Sequence, residues 1–218
     1  MIVAIDGPAG AGKSTIAKII ADKLGFFYID TGAMYRALTL KVIEKDIDLK
    51  DSERIVKIAS DLSIDLINNP DGSLKVLLDG RDISRQIREP RITKFVSDIA
   101  KLKGVRDYML KLQRNFGKRG NCVLDGRDIG TVVFPDAKKK FYLDAHFKER
   151  VKRRHSELRG LGQEVSAQEV ESDLQNRDSI DSTREIAPLK KAEDAIYIDT
   201  TNISIEEVVN KVLKEIKP

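Results

Sequence analysis

Short apolar runs rich in β-branched and aromatic residues recur at Ile2–Ile5, Phe27–Ile29, Cys122–Leu124, Lys140–Leu143 and Ala195–Ile198. Runs of this kind predict strands buried on both faces. They give way to aspartates, at Asp6, Asp30, Asp125, Asp144 and Asp199. Helical periodicity lies between them, as in Ile16, Ile19, Ile20 and Leu24. The chain closes on an amphipathic helix (Ile205, Val208, Val209, Val212, Leu213, Ile216), opened by Ser204 and Glu207 as a capping box. The alternation predicts an α/β fold with a mostly parallel five-stranded sheet flanked by helices. Ligands in such sheets bind beyond the carboxyl ends of the strands, so the aspartates stand where chemistry is expected.

Two stretches interrupt this rhythm. Ser63–Ile67, the polar turn Asn68–Gly72 and Leu74–Leu78 read as an antiparallel hairpin, and Asp79-Gly80 offers a further turn. Phe147–Arg184 is polar, carries Arg150, Arg153, Arg154, Arg159, Arg177 and Arg184, and breaks at Gly160-Leu-Gly162, the pattern of a helical lid. The expectation is a single domain over 1–218. Its core covers 1–60, 91–146 and 185–218, with a small antiparallel β insert at about 61–90 and a lid at about 147–184. A further helix is expected over about 92–116. The hexapeptide Leu-Asp-Gly-Arg-Asp-Ile occurs at both 78–83 and 124–129. The flanks do not match, so the second copy, at the ligand edge, is read as functional and the first as a turn.

Composition narrows the class. At 41% hydrophobic residues the chain can bury a substantial core. Its net charge of +4 is modest, and basic residues cluster between Lys138 and Arg159 instead of forming a long stripe, which argues against a nucleic-acid partner. No apolar stretch approaches a membrane span. The sequence starts directly on a strand, leaving no room for a targeting peptide. The lone Cys122 allows no internal disulfide and reads as core packing. His146 and His155 lack partners at metal-ligand spacing and read as helix-surface residues. A cytoplasmic monomer is expected.

The chemistry begins at residues 7–15. Gly7, Pro8, Ala9, Gly10, Ala11, Gly12, Lys13, Ser14 and Thr15 form a complete phosphate loop between a strand and a helix. Its glycines let successive N–H groups face an anion, and the helix N-terminus adds partial positive charge. Lys13 reaches the β- and γ-phosphates of a nucleoside triphosphate, and the Ser14 hydroxyl suits Mg²⁺. After the second strand, Thr31 is a natural N-cap, and Thr31, Tyr35 and Arg36 lie where an acceptor would sit. Asp125 ends a strand beside the loop, the usual place for a carboxylate that holds magnesium through water. Arg127 follows across Gly126, read as permitting a sharp turn. Arg36 and Arg127 together suit an acceptor phosphate. Such an acceptor is already anionic, so alignment and charge neutralisation suffice and no general base is needed.

On these residues, with Gly130–Pro135 and Arg177…Asp181…Arg184 leading to Ala187-Pro-Leu189, the sequence resembles the bacterial cytidylate kinases over essentially its whole length. These are nucleoside monophosphate kinases with a P-loop NTPase core. The resemblance implies transfer of the γ-phosphate of ATP to CMP or dCMP, with Mg²⁺. It implies that Ser97, Arg106 and Asp128 recognise cytosine and that Arg36 and Arg127 hold the acceptor phosphate. Tyr35, Arg177 and Asp181 then surround the sugar, Arg184 lies near the acceptor, and Arg153 and Arg154 close over ATP. Read without it, Ser97 and Arg106 are surface polarity on the 92–116 helix. The arginines alone do not identify a base, so a kinase of another nucleoside monophosphate or small acceptor is the alternative. A guanine-nucleotide switch lacks its Asn-Lys-x-Asp motif here.

Overall fold

Ile2–Asp6 (β1) is the central strand of a five-stranded parallel sheet in a computed structural model that describes residues 1–216. Phe27–Asp30 (β2), Cys122–Gly126 (β6), Lys139–Asp144 (β7) and Ile196–Asp199 (β8) complete it in the order β2-β6-β1-β7-β8. The apolar runs fall on these five strands, and the parallel register aligns Asp30 with Asp125 and Asp6 with Gly126. The acidic ends therefore gather at one edge. Burial on both faces holds for β1 and β6 but not for β8, where Ile196 and Tyr197 are exposed because β8 closes the sheet's edge.

Lys13–Leu24 (α1), Thr31–Glu44 (α2) and Ser52–Asp61 (α3) precede a second, antiparallel sheet of Ile64–Asn68 (β3), Leu74–Leu78 (β4) and Arg81–Asp82 (β5). The first hexapeptide copy makes the β4–β5 turn, with Asp79 and Gly80 at φ 51° and 82°. The second copy ends β6 and runs on into a π-helical turn, Ile129–Val133. Six identical residues thus take two backbones, each set by its tertiary surroundings. Gly126 ends β6 without a positive φ, and the chain bends directly after it, at Arg127 and Asp128. The glycine is needed for room, because a Cβ there would come within 2.8 Å of Ile129 and Thr31 Oγ1.

The expected helix over 92–116 is two helices, Pro90–Ala100 (α4) and Lys103–Gly117 (α5). No proline or glycine marks the break. Leu102 turns extended (ψ 124°), which lets Gly104 press against Val56 of α3. Phe147–Gly160 (α6) and Ala167–Thr183 (α7) flank the Gly160–Gly162 break, and Ile205–Ile216 (α8) ends the fold behind its capping box. Among the described residues no helix is long and apolar enough to cross a membrane.

Candidate active site

Beyond the carboxyl edge of the large sheet lies a cavity of about 600 Å³. Of the residues expected to hold donor, acceptor or magnesium, only Gly7 and Pro8 lie off its wall, whereas the strand-end Asp6, Asp144 and Asp199 do not line it. The loop glycines Gly7, Gly10 and Gly12 all adopt positive φ, curling the chain from β1 into α1. Lys13 is the first residue of α1 and donates from Nζ to Pro8 O at 2.6 Å. Burial, and next the Arg127 charge, pull its ammonium well below the ordinary lysine value. Ala9, expected to cradle phosphate, spends both backbone groups elsewhere. Its N–H donates to Asp178 of α7 (3.3 Å), and its carbonyl accepts from Arg150 of α6 (3.0 Å).

Ser14 Oγ donates to Asp125 Oδ2 at 2.8 Å. This all-oxygen pair fits Mg²⁺, a hard cation that takes few protein ligands and keeps several waters. Burial and the neighbouring Asp30 push the Asp125 carboxyl upward, as expected of a site that awaits positive charge.

The helix that carries Arg36 is capped differently from expectation. Asp30, not Thr31, is the N-cap and accepts from Ala33 N at 2.7 Å. Thr31 is already helical and donates instead to Asp125 O at 2.7 Å. A carboxylate at the end of β2 outcompetes the hydroxyl because it also binds Arg36 at 3.0 Å.

Opposite the loop, four arginines share three carboxylates. Arg127 pairs with Asp181 at 2.9 Å, and Arg184 reaches Asp181 and Asp128 at 3.5 Å each. Arg106 hydrogen-bonds Asp128 and lies 5.7 Å from the Tyr35 ring centroid, a cation–π contact. Among the described residues Arg177 pairs only with Asp173, at 3.8 Å, and burial followed by Arg127 pulls it down to about 10. Ser97 and Arg106 are buried, at 5% and 6% exposure, so the surface reading of both is wrong. The kink between α4 and α5 turns them inward, and Arg106 donates to Ala100 O across it. Among the described residues, four guanidinium nitrogens in this cavity are buried without a hydrogen bond: Arg36 Nε, Arg154 Nε, Arg177 Nε and Arg184 Nη2, the last in its 3.5 Å ion pair with Asp128.

Arg153 and Arg154, neighbours on α6, differ. Arg153 is engaged by Thr200 (Oγ1 at 2.9 Å, O at 2.6 Å) and Glu149, whereas Arg154 has Glu157 and a free Nε. The histidines are peripheral. His146 is exposed ahead of α6, and His155 is half-buried with Nε2 3.0 Å from Val165 O.

Matched over residues 3–218 is the sequence model of the family described as Cytidylate kinase. The chain belongs to the cytidylate kinase family. A cytidylate kinase of Carboxydothermus hydrogenoformans is 50% identical over 214 residues, covering 98% of this chain and 96% of its own. One from Caldanaerobacter subterraneus subsp. tengcongensis is 51% identical over 217 residues, 99% and 94% of the two chains. A shikimate kinase from Bacteroides thetaiotaomicron superposes with a TM-score of 0.50 at 12% identity, over 100% and 99% of the chains, and shares the fold alone.

The sequence places Asp6 among the strand-end aspartates but does not show what it binds. It lies at the end of β1, where its two carboxylate oxygens accept from Ile129 N (2.8 Å) and Gly130 N (2.7 Å). Those bonds tie the loop carrying Arg127 and Asp128 to the strand that feeds the phosphate loop. Burial pushes the Asp6 carboxyl from 3.8 up to about 7 against the pull of both amides. The folded chain therefore holds that proton more tightly than the unfolded one. Asp6's contribution to stability is full below about 4 and is lost as pH rises towards 7. In Asp6→Asn that slope is absent, and at neutral pH the variant is destabilised by about 1–3 kcal/mol, since its amide N–H₂ faces a backbone donor. Urea unfolding of both forms across this pH range is the check.

Proposed function

We propose that this protein transfers the γ-phosphate of ATP to CMP or dCMP, giving ADP and CDP or dCDP. Membership of the cytidylate kinase family over residues 3–218 supports the activity. The observation that carries the residue assignment is the excess of buried, unpartnered guanidinium donors facing Lys13 across one cavity. Buried donors left unpaired are costly, so a site that keeps three with neither hydrogen bond nor ion pair, Arg36 Nε, Arg154 Nε and Arg177 Nε, is built for polyanions.

In this reading the loop amides from Gly10 onward and Lys13 hold the donor's phosphates. Arg154, with its free Nε, and Arg177 meet the charge that develops on the transferred group. Arg36 and Arg127 hold the acceptor phosphate, each oriented by its own carboxylate, Asp30 and Asp181. Ser14 and, through water, Asp125 would hold magnesium, which when bound would supply charge neutralisation to the donor's phosphates. The acceptor oxygen is already anionic, so no side chain has to remove a proton. Ile203, Ile205 and Val208, at the far wall beside Arg153, offer apolar surface to the donor's base. Asp128 accepts from the cytosine amino group, Arg106 donates to the ring edge, and Ser97 completes the base site. Arg177 and Asp181 border the sugar. Residues 147–184 act as the lid, 61–90 as the insert of the acceptor side, and the protein works as a cytoplasmic monomer.

The test is an acceptor panel of CMP, dCMP, UMP, AMP and GMP assayed with ATP and Mg²⁺. CMP and dCMP are the expected best acceptors. Strong turnover of another nucleotide with none of CMP rejects the proposal.

A further inference from the structure

The Asp125 carboxylate is held from both sides. Ser14 Oγ donates to Oδ2 at 2.8 Å, and the Tyr28 hydroxyl donates to Oδ1 at 2.7 Å. Both bonds join residues far apart in sequence: Ser14 reaches Asp125 from the first turn of α1, and Tyr28 where β2 runs beside β6, with Tyr28 against Val123 and Asp30 against Asp125. Tyr28 is 2% exposed, and its hydroxyl has no protein acceptor besides Asp125 among the described residues. A buried phenol keeps such a bond because leaving it unmade costs the full desolvation of the O–H. Tyr28 is also gripped from outside the sheet. Its N–H donates to Asn68 Oδ1 at 2.8 Å, and Asn68 Nδ2 donates back to Tyr28 O at 3.0 Å. Asn68 is the last residue of β3, so the antiparallel sheet docks on the large one at Tyr28.

A carboxylate bonded at one oxygen still swings about its Cβ–Cγ axis. Bonded at both, it has one plane. We infer that Tyr28 is a positioning residue for the cation site: its hydroxyl fixes Oδ1 of Asp125 so that Oδ2 is presented to Ser14 and to a magnesium–nucleotide, while Asn68 fixes Tyr28. The ring is not on the cavity wall, so it acts through Asp125 and touches neither nucleotide. The inference rests on the kinase reading for the identity of the bound nucleotide.

Tyr28→Phe removes one oxygen and keeps the ring. Calorimetry with Mn²⁺ plus ADP, and with ADP in EDTA, separates metal-dependent from metal-free nucleotide binding. The expected result is a loss of about tenfold in affinity for Mn²⁺–ADP, with ADP affinity in EDTA unchanged. The Mg²⁺ concentration for half-maximal turnover rises by a similar factor, while KM for CMP stays put. Asn68→Ala moves the same quantities in the same direction by less. Unchanged Mn²⁺–ADP affinity, or an equal loss with and without metal, overturns the inference, the second outcome meaning that the hydroxyl serves only the fold. If the wild type ignores CMP yet Tyr28→Phe still loses metal-dependent binding selectively, the acceptor reading fails and this inference stands.

Discussion

Lys13→Ala is expected to lower kcat by about 10²–10³-fold without lowering the melting temperature. The rate loss follows from removing a preorganised positive charge from the transferred phosphate, where one electrostatic donor is typically worth that factor. The stability half follows from burial. Lys13 is 5% exposed, its only hydrogen bond among the described residues goes to Pro8 O, and burial followed by Arg127 outweighs the attraction of Asp125 and Asp6. An ammonium held so far below its ordinary pKa gains little for the folded state, and replacing it with alanine at the first position of α1 removes a desolvated charge. Turnover of CMP together with thermal unfolding measures both. Near-wild-type turnover contradicts the donor assignment, and a large drop in melting temperature contradicts the electrostatic account of Lys13.

Asp128→Asn is expected to reduce the ratio of kcat/KM for CMP to that for UMP by at least about tenfold. Asp128 only accepts hydrogen bonds when ionised, which matches the amino group of cytosine and repels O4 of uracil. An asparagine can turn its N–H₂ towards that O4, so UMP gains where CMP loses. Alanine is the poorer probe. Asp128 balances Arg106 and Arg184 in a buried cluster, and removing the carboxylate outright leaves the Arg106 guanidinium uncompensated and Arg184 with Asp181 alone, at about 3–5 kcal/mol. The amide keeps an oxygen for Arg106. Equal changes for the two acceptors show that Asp128 does not read the base, and an unchanged affinity for ATP confines the effect to the acceptor half.

The parts legible in the sequence are those whose physics is local. The phosphate loop at residues 7–15 is a run of glycines, a lysine and a hydroxyl at fixed spacing, and it folds as such wherever a strand precedes it and a helix follows. The five strands stand out because parallel strands buried between helices are continuous apolar runs, and β8 escapes that rule by being at the edge. What stayed hidden depends on distant register. Asp6 meets Ile129 across 123 residues, Tyr28 meets Asp125 across 97, and Ala9 meets Asp178 across 169. No local pattern carries those distances. The break between α4 and α5 has no punctuating residue either, yet it is what turns Ser97 and Arg106 inward. Resemblance to relatives named these two residues. Their own neighbours in sequence did not.

A structure with CMP and a non-hydrolysable ATP analogue bound together tests the account most directly. Donor and acceptor phosphates are expected nose to tail in the one cavity, Lys13 within hydrogen-bond reach of the donor and Arg36 and Arg127 within reach of the acceptor's phosphate. An acceptor phosphate held away from both arginines contradicts it.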